Sequence, residues 1–192
     1  MDEKIKKSIR ESIRQKEFFL STPDGVSFIK IVSEAIVKSL RNGGKVLICG
    51  NGGSAADAQH FAAELVGRFV IDRVALPAIA LTTDTSILTA VGNDYSFDDI
   101  FSRQVQALAK QSDVVIGIST SGNSENVIKA IEVAKEKSCT TFCLLGKTGG
   151  KLKTICQQSY VVPSEESARI QEVHIMIEHI ICQMVEEKIF ER

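Results

Sequence analysis

The chain has 192 residues, 44% of them hydrophobic and 24% charged, and a net charge of −1. These values describe a globular chain long enough to bury a full core. They exclude an overall basic field that would draw in nucleic acid, and no basic stripe is interleaved with aromatics.

Membrane partners are equally unexpected, because no apolar stretch is long and uncharged enough to span a bilayer. Met1 to Lys16 alternates charges with isolated isoleucines and does not read as a signal peptide. The five cysteines (Cys49, Cys139, Cys143, Cys156 and Cys182) are odd in number and scattered among apolar neighbours. They read as reduced thiols in a cytoplasmic protein. Cys139 and Cys143 flank a predicted strand at a spacing that matches metal motifs poorly, so their role is structural.

In chain order, residues 3–20 and 26–42 predict two helices, broken at Pro23-Asp24-Gly25 and stopped by Asn42-Gly43-Gly44. Strands are predicted over 45–49, 77–81, 113–118, 140–145 and 159–162. Between and after them, helices are predicted over 54–68, about 97–110, 124–137 and 149–156, followed by a long helix over 165–190. Continuous Val/Ile/Leu/Cys runs separated by helices imply a parallel sheet covered on both faces. The expected fold class is therefore α/β, with one domain over 1–192. Its five-stranded parallel sheet has the flavodoxin-like order 2-1-3-4-5 within 45–162. The N-terminal helices (1–42) and the C-terminal helix (165–190) are additions to it. From Val173 to Phe190 that last helix is apolar nearly all round, which predicts burial against another subunit and a homo-oligomer, a tetramer built on these added helices.

Two short loops carry the chemistry. Cys49-Gly50-Asn51-Gly52-Gly53-Ser54 and Gly117-Ile118-Ser119-Thr120-Ser121-Gly122-Asn123-Ser124 each join a buried strand to a helix start. Free backbone amides at such turns point at an anion, and strand order brings the two loops to one crevice. Ser119, Thr120, Ser121 and Ser124 exceed what one helix cap needs, although capping is their plainest use. No Walker-type lysine follows, so a monophosphate ester fits better than a nucleoside triphosphate. Downstream, His60 and Glu64 are four apart on one helix face, an acid–base or metal-binding pair. Glu64 reads either as a solvated helix residue or as a partly desolvated carboxylate able to lift a proton beside a carbonyl. His179 stands among isoleucines, where an imidazole needs a partner, and His174 reads as structural. Asn93-Asp94 is by default a turn, positioned after the second strand to reach sugar hydroxyls.

With these residues in view, the chain resembles the SIS (sugar isomerase) domain family, and within it the bacterial phosphoheptose isomerases. The resemblance runs almost end to end, through CGNGGSAADAQHFAAELVGRF at 49–69, VGNDYSFDDIFSRQV at 91–105, GISTSGNSENVIKAI at 117–131 and SARIQEVHIMIEHII at 167–181. It implies an aldose–ketose isomerase that converts sedoheptulose 7-phosphate to glycero-manno-heptose 7-phosphate for lipopolysaccharide heptose. It implies substrate contacts at Asn51, Gly52, Gly53, Ser54, Glu64, Asn93, Asp94, Ser119, Thr120, Ser121, Ser124 and Gln171. Glu64 becomes the base and His179 its acid partner. Zinc, one ion per subunit, is implied on His60, Glu64, Gln171 and His179. Gln171 and His179 are eight apart, about 12 Å along a helix at ~1.5 Å per residue. They share a small site only with extended side chains or from different copies, which predicts a site at a subunit interface.

Two other functions compete. A non-enzymatic SIS adaptor that binds a replication initiator keeps the glycine loop but lacks the counterparts of Glu64 and His179. Amino-sugar isomerases and lyases come as longer or two-domain chains and leave the His60/Glu64/Gln171/His179 set unexplained.

Overall fold

The structure is a computed structural model and describes residues 1–190. Five parallel strands, β1 (Val46–Gly50), β2 (Ala78–Ala80), β3 (Val114–Ser119), β4 (Thr140–Gly146) and β5 (Gln158–Val162), pair in the order β2-β1-β3-β4-β5. The expected 2-1-3-4-5 winding is what forms. Strand alternation divides the core in two. Val46, Ile48, Ile116, Ile118, Phe142 and Leu144 face one layer, while Leu47, Cys49, Val115, Cys143 and Leu145 face the other. Residues that look like one continuous apolar run thus serve two covered faces.

The first face is covered by α1 (Asp2–Ser21), α2 (Pro23–Arg41), α3 (Gly53–Val66) and α8 (Ser167–Phe190). The second is covered by α5 (Ser102–Leu108), α6 (Glu125–Glu136) and α7 (Leu152–Ile155). The break between the first two helices falls at Thr22 rather than over Pro23-Asp24-Gly25. Pro23 opens α2, where its missing N–H costs nothing.

Two expectations need correction. The stretch read as one helix over about 97–110 is a 3-10 turn at Phe97–Asp99 followed by the short α5. Ahead of it lies an unforeseen helix, α4 (Thr85–Asp94), started by Asp84, whose carboxylate accepts from the Ile87 amide at 2.9 Å. A run of β-branched threonines masked that cap, and α4 buries no residue fully, so its hydrophobic period is faint. The long C-terminal helix is also less of an addition than expected. Ile170, Val173, Ile177, Ile181 and Val185 enter the chain's own core. What α8 leaves open is a groove of about 770 Å³ shared with α1 and α2, lined by Ile13, Leu20, Val26, Met176, Ile180 and Met184 among others.

His174 lies on the core side of α8 and is fully buried, its Nε2 3.0 Å from the Leu145 carbonyl. Burial, only partly offset by that carbonyl, pushes its pKa down to about 4. The unfolded chain takes up a proton below about pH 6.5, whereas the folded chain resists until about pH 4. Stability should therefore fall across that window. Urea unfolding at pH 7.5 and 5 should show the parent losing about 2 kcal/mol more than a His174→Met variant does.

Candidate active site

The site starts where β1 and β3 end. Gly50 lies opposite Ile118 in the parallel register, so the loops that follow leave the sheet side by side. Gly52 adopts φ +56°, a left-handed conformation that favours glycine, and turns the chain directly into α3. The Gly53 Cα faces the side-chain amide of Gln171, and a Cβ there would collide with it. Gln171 thus packs against the glycine loop from α8.

In the second loop, Ser119 Oγ is 2.9 Å from Ser124 Oγ and accepts from the Gly122 amide at 3.1 Å. Ser121 Oγ accepts from the Asn123 amide at 3.1 Å. Ser124 occupies the N-cap of α6 without capping it, because its hydroxyl is turned to Ser119. The first amides of α6 are left to face the crevice. The Gly146–Gly150 turn backs this loop, with the Leu152 amide donating to the Gly122 carbonyl at 2.9 Å and the Lys151 amide to Asn123 Oδ1 at 2.9 Å.

Further along α3, two imidazoles and a carboxylate converge. His60 Nε2 is 2.7 Å from His179 Nε2 and 3.5 Å from Glu64 Oε1. The three candidate ligand atoms of His60, Glu64 and His179 all lie within 4.8 Å of one another. Side-chain exposure of 38% for His60 and 24% for Glu64 keeps the cluster reachable from solvent. The Phe69 ring tilts over His179 at 5.8 Å between centroids. Such a cluster can pass protons or hold a divalent transition-metal ion.

Gln171 lies beside Gly53, whereas His179 lies beside His60, so the two sit at successive stations where α3 and α8 run together. Asn93 and Asp94 form the last turn of α4 rather than a loop, are exposed, and hydrogen-bond each other at 2.8 Å.

Sequence reasoning missed the parts that hold this arrangement. Glu186, near the end of α8, accepts from the amides of Phe69, Val70 and Ile71 at 3.2, 2.9 and 2.9 Å and from Arg73 Nε at 2.9 Å. Burial pushes its carboxyl up, but these four donors outweigh it and hold the pKa below the usual value. Arg73 in turn donates to the carbonyls of Glu64 (2.9 Å) and Leu65 (2.8 Å), capping the C-terminus of α3. Two more carboxyls lie on these helices, the half-buried Asp57 on α3 and the fully buried Glu178 on α8. Burial, with the charge of Asp57, raises Glu178 well above the usual range, and burial pushes Asp57 up to about 6 against the pull of His60.

A model described as SIS domain matches residues 22–146. A phosphoheptose isomerase of Clostridium acetobutylicum is 53% identical over 186 residues, covering 97% of this chain and 95% of that protein. A solved phosphoheptose isomerase from Neisseria gonorrhoeae superposes with a TM-score of 0.91 at 46% identity, covering 97% of this chain and 98% of that one. Another, from Francisella tularensis, gives 0.91 at 40% identity, covering 96% and 97%. The chain belongs to the SIS domain family and, within it, to the phosphoheptose isomerases.

The Arg73–Glu186 pair is almost fully buried, at 2% and 4% side-chain exposure. Glu186→Ala strands a guanidinium and three amides, and should cost about 3–5 kcal/mol in chemical denaturation. A cost below about 1 kcal/mol, typical of surface pairs, would contradict this reading.

Proposed function

We propose that this chain, acting as one SIS domain, interconverts sedoheptulose 7-phosphate and glycero-manno-heptose 7-phosphate through an enediol. The observation that carries the proposal is the convergence of His60, Glu64 and His179, reached along α3 from two amide- and hydroxyl-rich loops. Gly53 and His60 are seven residues apart, about 10 Å at ~1.5 Å per residue. That separation suits a ligand anchored by phosphate at the α6 N-terminus with its carbonyl end at the cluster. Ser119, Thr120, Ser121 and Ser124 with the α6 amides hold the phosphate, and Asn51, Gly52, Gly53, Ser54 and Gln171 flank the sugar. For Asn93 and Asp94, the exposed end of α4 supports contact with sugar hydroxyls only from the rim.

Isomerisation moves a proton between adjacent carbons while the oxygens exchange one in step. Glu64 takes the carbon proton and returns it to the neighbouring carbon. His179 protonates the carbonyl oxygen as the enediol forms and recovers a proton from the adjacent hydroxyl. His60, between them at 2.7 and 3.5 Å, orients both. The donor set of two imidazoles and one carboxylate also fits zinc, and His60, Glu64 and His179 would hold it. Gln171, packed against Gly53, would be the fourth ligand. Zinc held there would polarise the carbonyl as a Lewis acid. Glu64 and His179 cannot serve as free base and acid while their lone pairs ligate an ion, so the two modes are partly exclusive.

The active form is a homotetramer of the cytoplasm, with sites near subunit interfaces. The apolar groove between α1, α2 and α8 supports this, as do the exposed Ile5, Ile9 and Ile13 along one face of α1. No described helix is long and apolar enough to cross a membrane.

Turnover of sedoheptulose 7-phosphate by the purified protein, with and without a chelator, tests the proposal. Glu64→Gln and His179→Gln should each lower kcat by on the order of 100-fold or more with substrate binding largely retained. Near-normal kcat in Glu64→Gln removes the assignment. No turnover under either condition restores the adaptor.

A further inference from the structure

Asn126, in the first turn of α6, is 2% exposed and has no part in the assignments above. Its Nδ2 donates to Asn51 Oδ1 at 2.9 Å, and Asn51 Nδ2 donates back to Asn126 Oδ1 at 2.8 Å. The partners are 75 residues apart. They meet because β1 and β3 are neighbours in register and each loop turns into its helix directly.

Two carboxamides pair in this way because each offers one donor and one acceptor. An aspartate on either side would set acceptor against acceptor and add negative charge at the α6 N-terminus. An apolar residue at 126 would leave both polar ends of Asn51 without their protein partners. The pair also occupies the edge of Asn51 that faces α6, so this edge is spent on the protein rather than on a ligand. With Gln171 packed against Gly53 from α8, the glycine loop is held from two sides.

We infer that Asn126 is a positioning residue which, through Asn51, sets the gap between the glycine loop and the hydroxyl loop. It thereby aligns the sugar chain of a phosphate ester with the Glu64–His179 cluster. This rests on the reading of the two loops as the walls of the substrate site. The hydroxyl loop has its own bonds, Ser119 to Ser124 and the Gly122 amide to Ser119, and neither involves Asn126. Removing Asn126 should therefore leave anion binding intact while the sugar loses its alignment.

The test compares the parent, Asn126→Ala, Asn51→Ala and Asn51→Ala/Asn126→Ala, reading KM for sedoheptulose 7-phosphate and competitive inhibition by inorganic phosphate. KM should rise at least about tenfold in Asn126→Ala, with the phosphate inhibition constant unchanged within about twofold. The double variant should be no worse than Asn51→Ala within about twofold, because Asn126 acts only through Asn51. If Asn126→Ala does not fold, Asn126→Ser, whose hydroxyl can meet one end of Asn51, should show the same split more weakly. An unchanged KM with only a lowered thermal midpoint overturns the proposal. So does a phosphate constant that rises in step with KM, or a double variant whose effects multiply. A parent that turns over substrate but ignores phosphate removes the hydroxyl-loop reading, and with it this proposal, at a separate control.

Discussion

The arrangement depends on how the end of α3 is fixed to α8. Glu186 gathers three consecutive backbone amides and a guanidinium, and that guanidinium caps the carbonyls of Glu64 and Leu65. Each polar group in this knot answers another, so a carboxylate at 3% exposure carries a depressed rather than a raised pKa. Breaking such a buried pair is costly because the orphaned charge cannot reach water. The knot sets the distance between Glu64, in the last turn of α3, and His179, about two turns back from Glu186 along α8. A looser joint here would let the cluster drift by more than proton transfer tolerates.

At its other end α3 is fixed by the sheet. The parallel register of β1 and β3 delivers both loops to one edge, and α3 springs from the first of them. A single rigid helix therefore carries the glycine loop at its start and two members of the reactive cluster further along. Because α8 runs alongside, Gln171 meets the loop and His179 meets the cluster in the same order. The charge of the half-buried Asp57 of α3 acts on the buried Glu178 of α8, and desolvation favours their neutral forms. Family membership and geometry converge on a sugar-phosphate isomerase by independent routes.

Much of this was legible in the sequence because it is written in local patterns. Apolar runs with glycine and serine turns specify the strands and loops, and the i, i+4 spacing of His60 and Glu64 specifies their shared face. The α4 helix was not legible, since its threonines favour extended backbone and its apolar positions are half-buried (Leu88, Val91) or exposed (Ile87). Placing Asn93 and Asp94 in a loop followed from that miss. Gln171 packs beside Gly53, and His179 beside His60, which lies seven residues beyond Gly53 on α3. The Arg73–Glu186 knot and the Asn51–Asn126 pair were illegible for another reason. Both join residues far apart in sequence, and a charged or amide side chain looks solvated until its partners are placed around it. The available signal was Glu178 and Glu186 recurring at helical spacing on the face of α8 that also carries Ile170, Ile177, Ile181 and Val185.

The central claim is that Glu64 moves a proton between adjacent carbons through an enediol. Isomerisation run to equilibrium in D2O, with the sugar phosphate followed by NMR, tests it directly. The account predicts deuterium on the carbon that gains the proton, growing with repeated turnover as the carboxylate exchanges with solvent. Complete retention of protium there after many turnovers would indicate direct hydride transfer between the carbons and contradict the account.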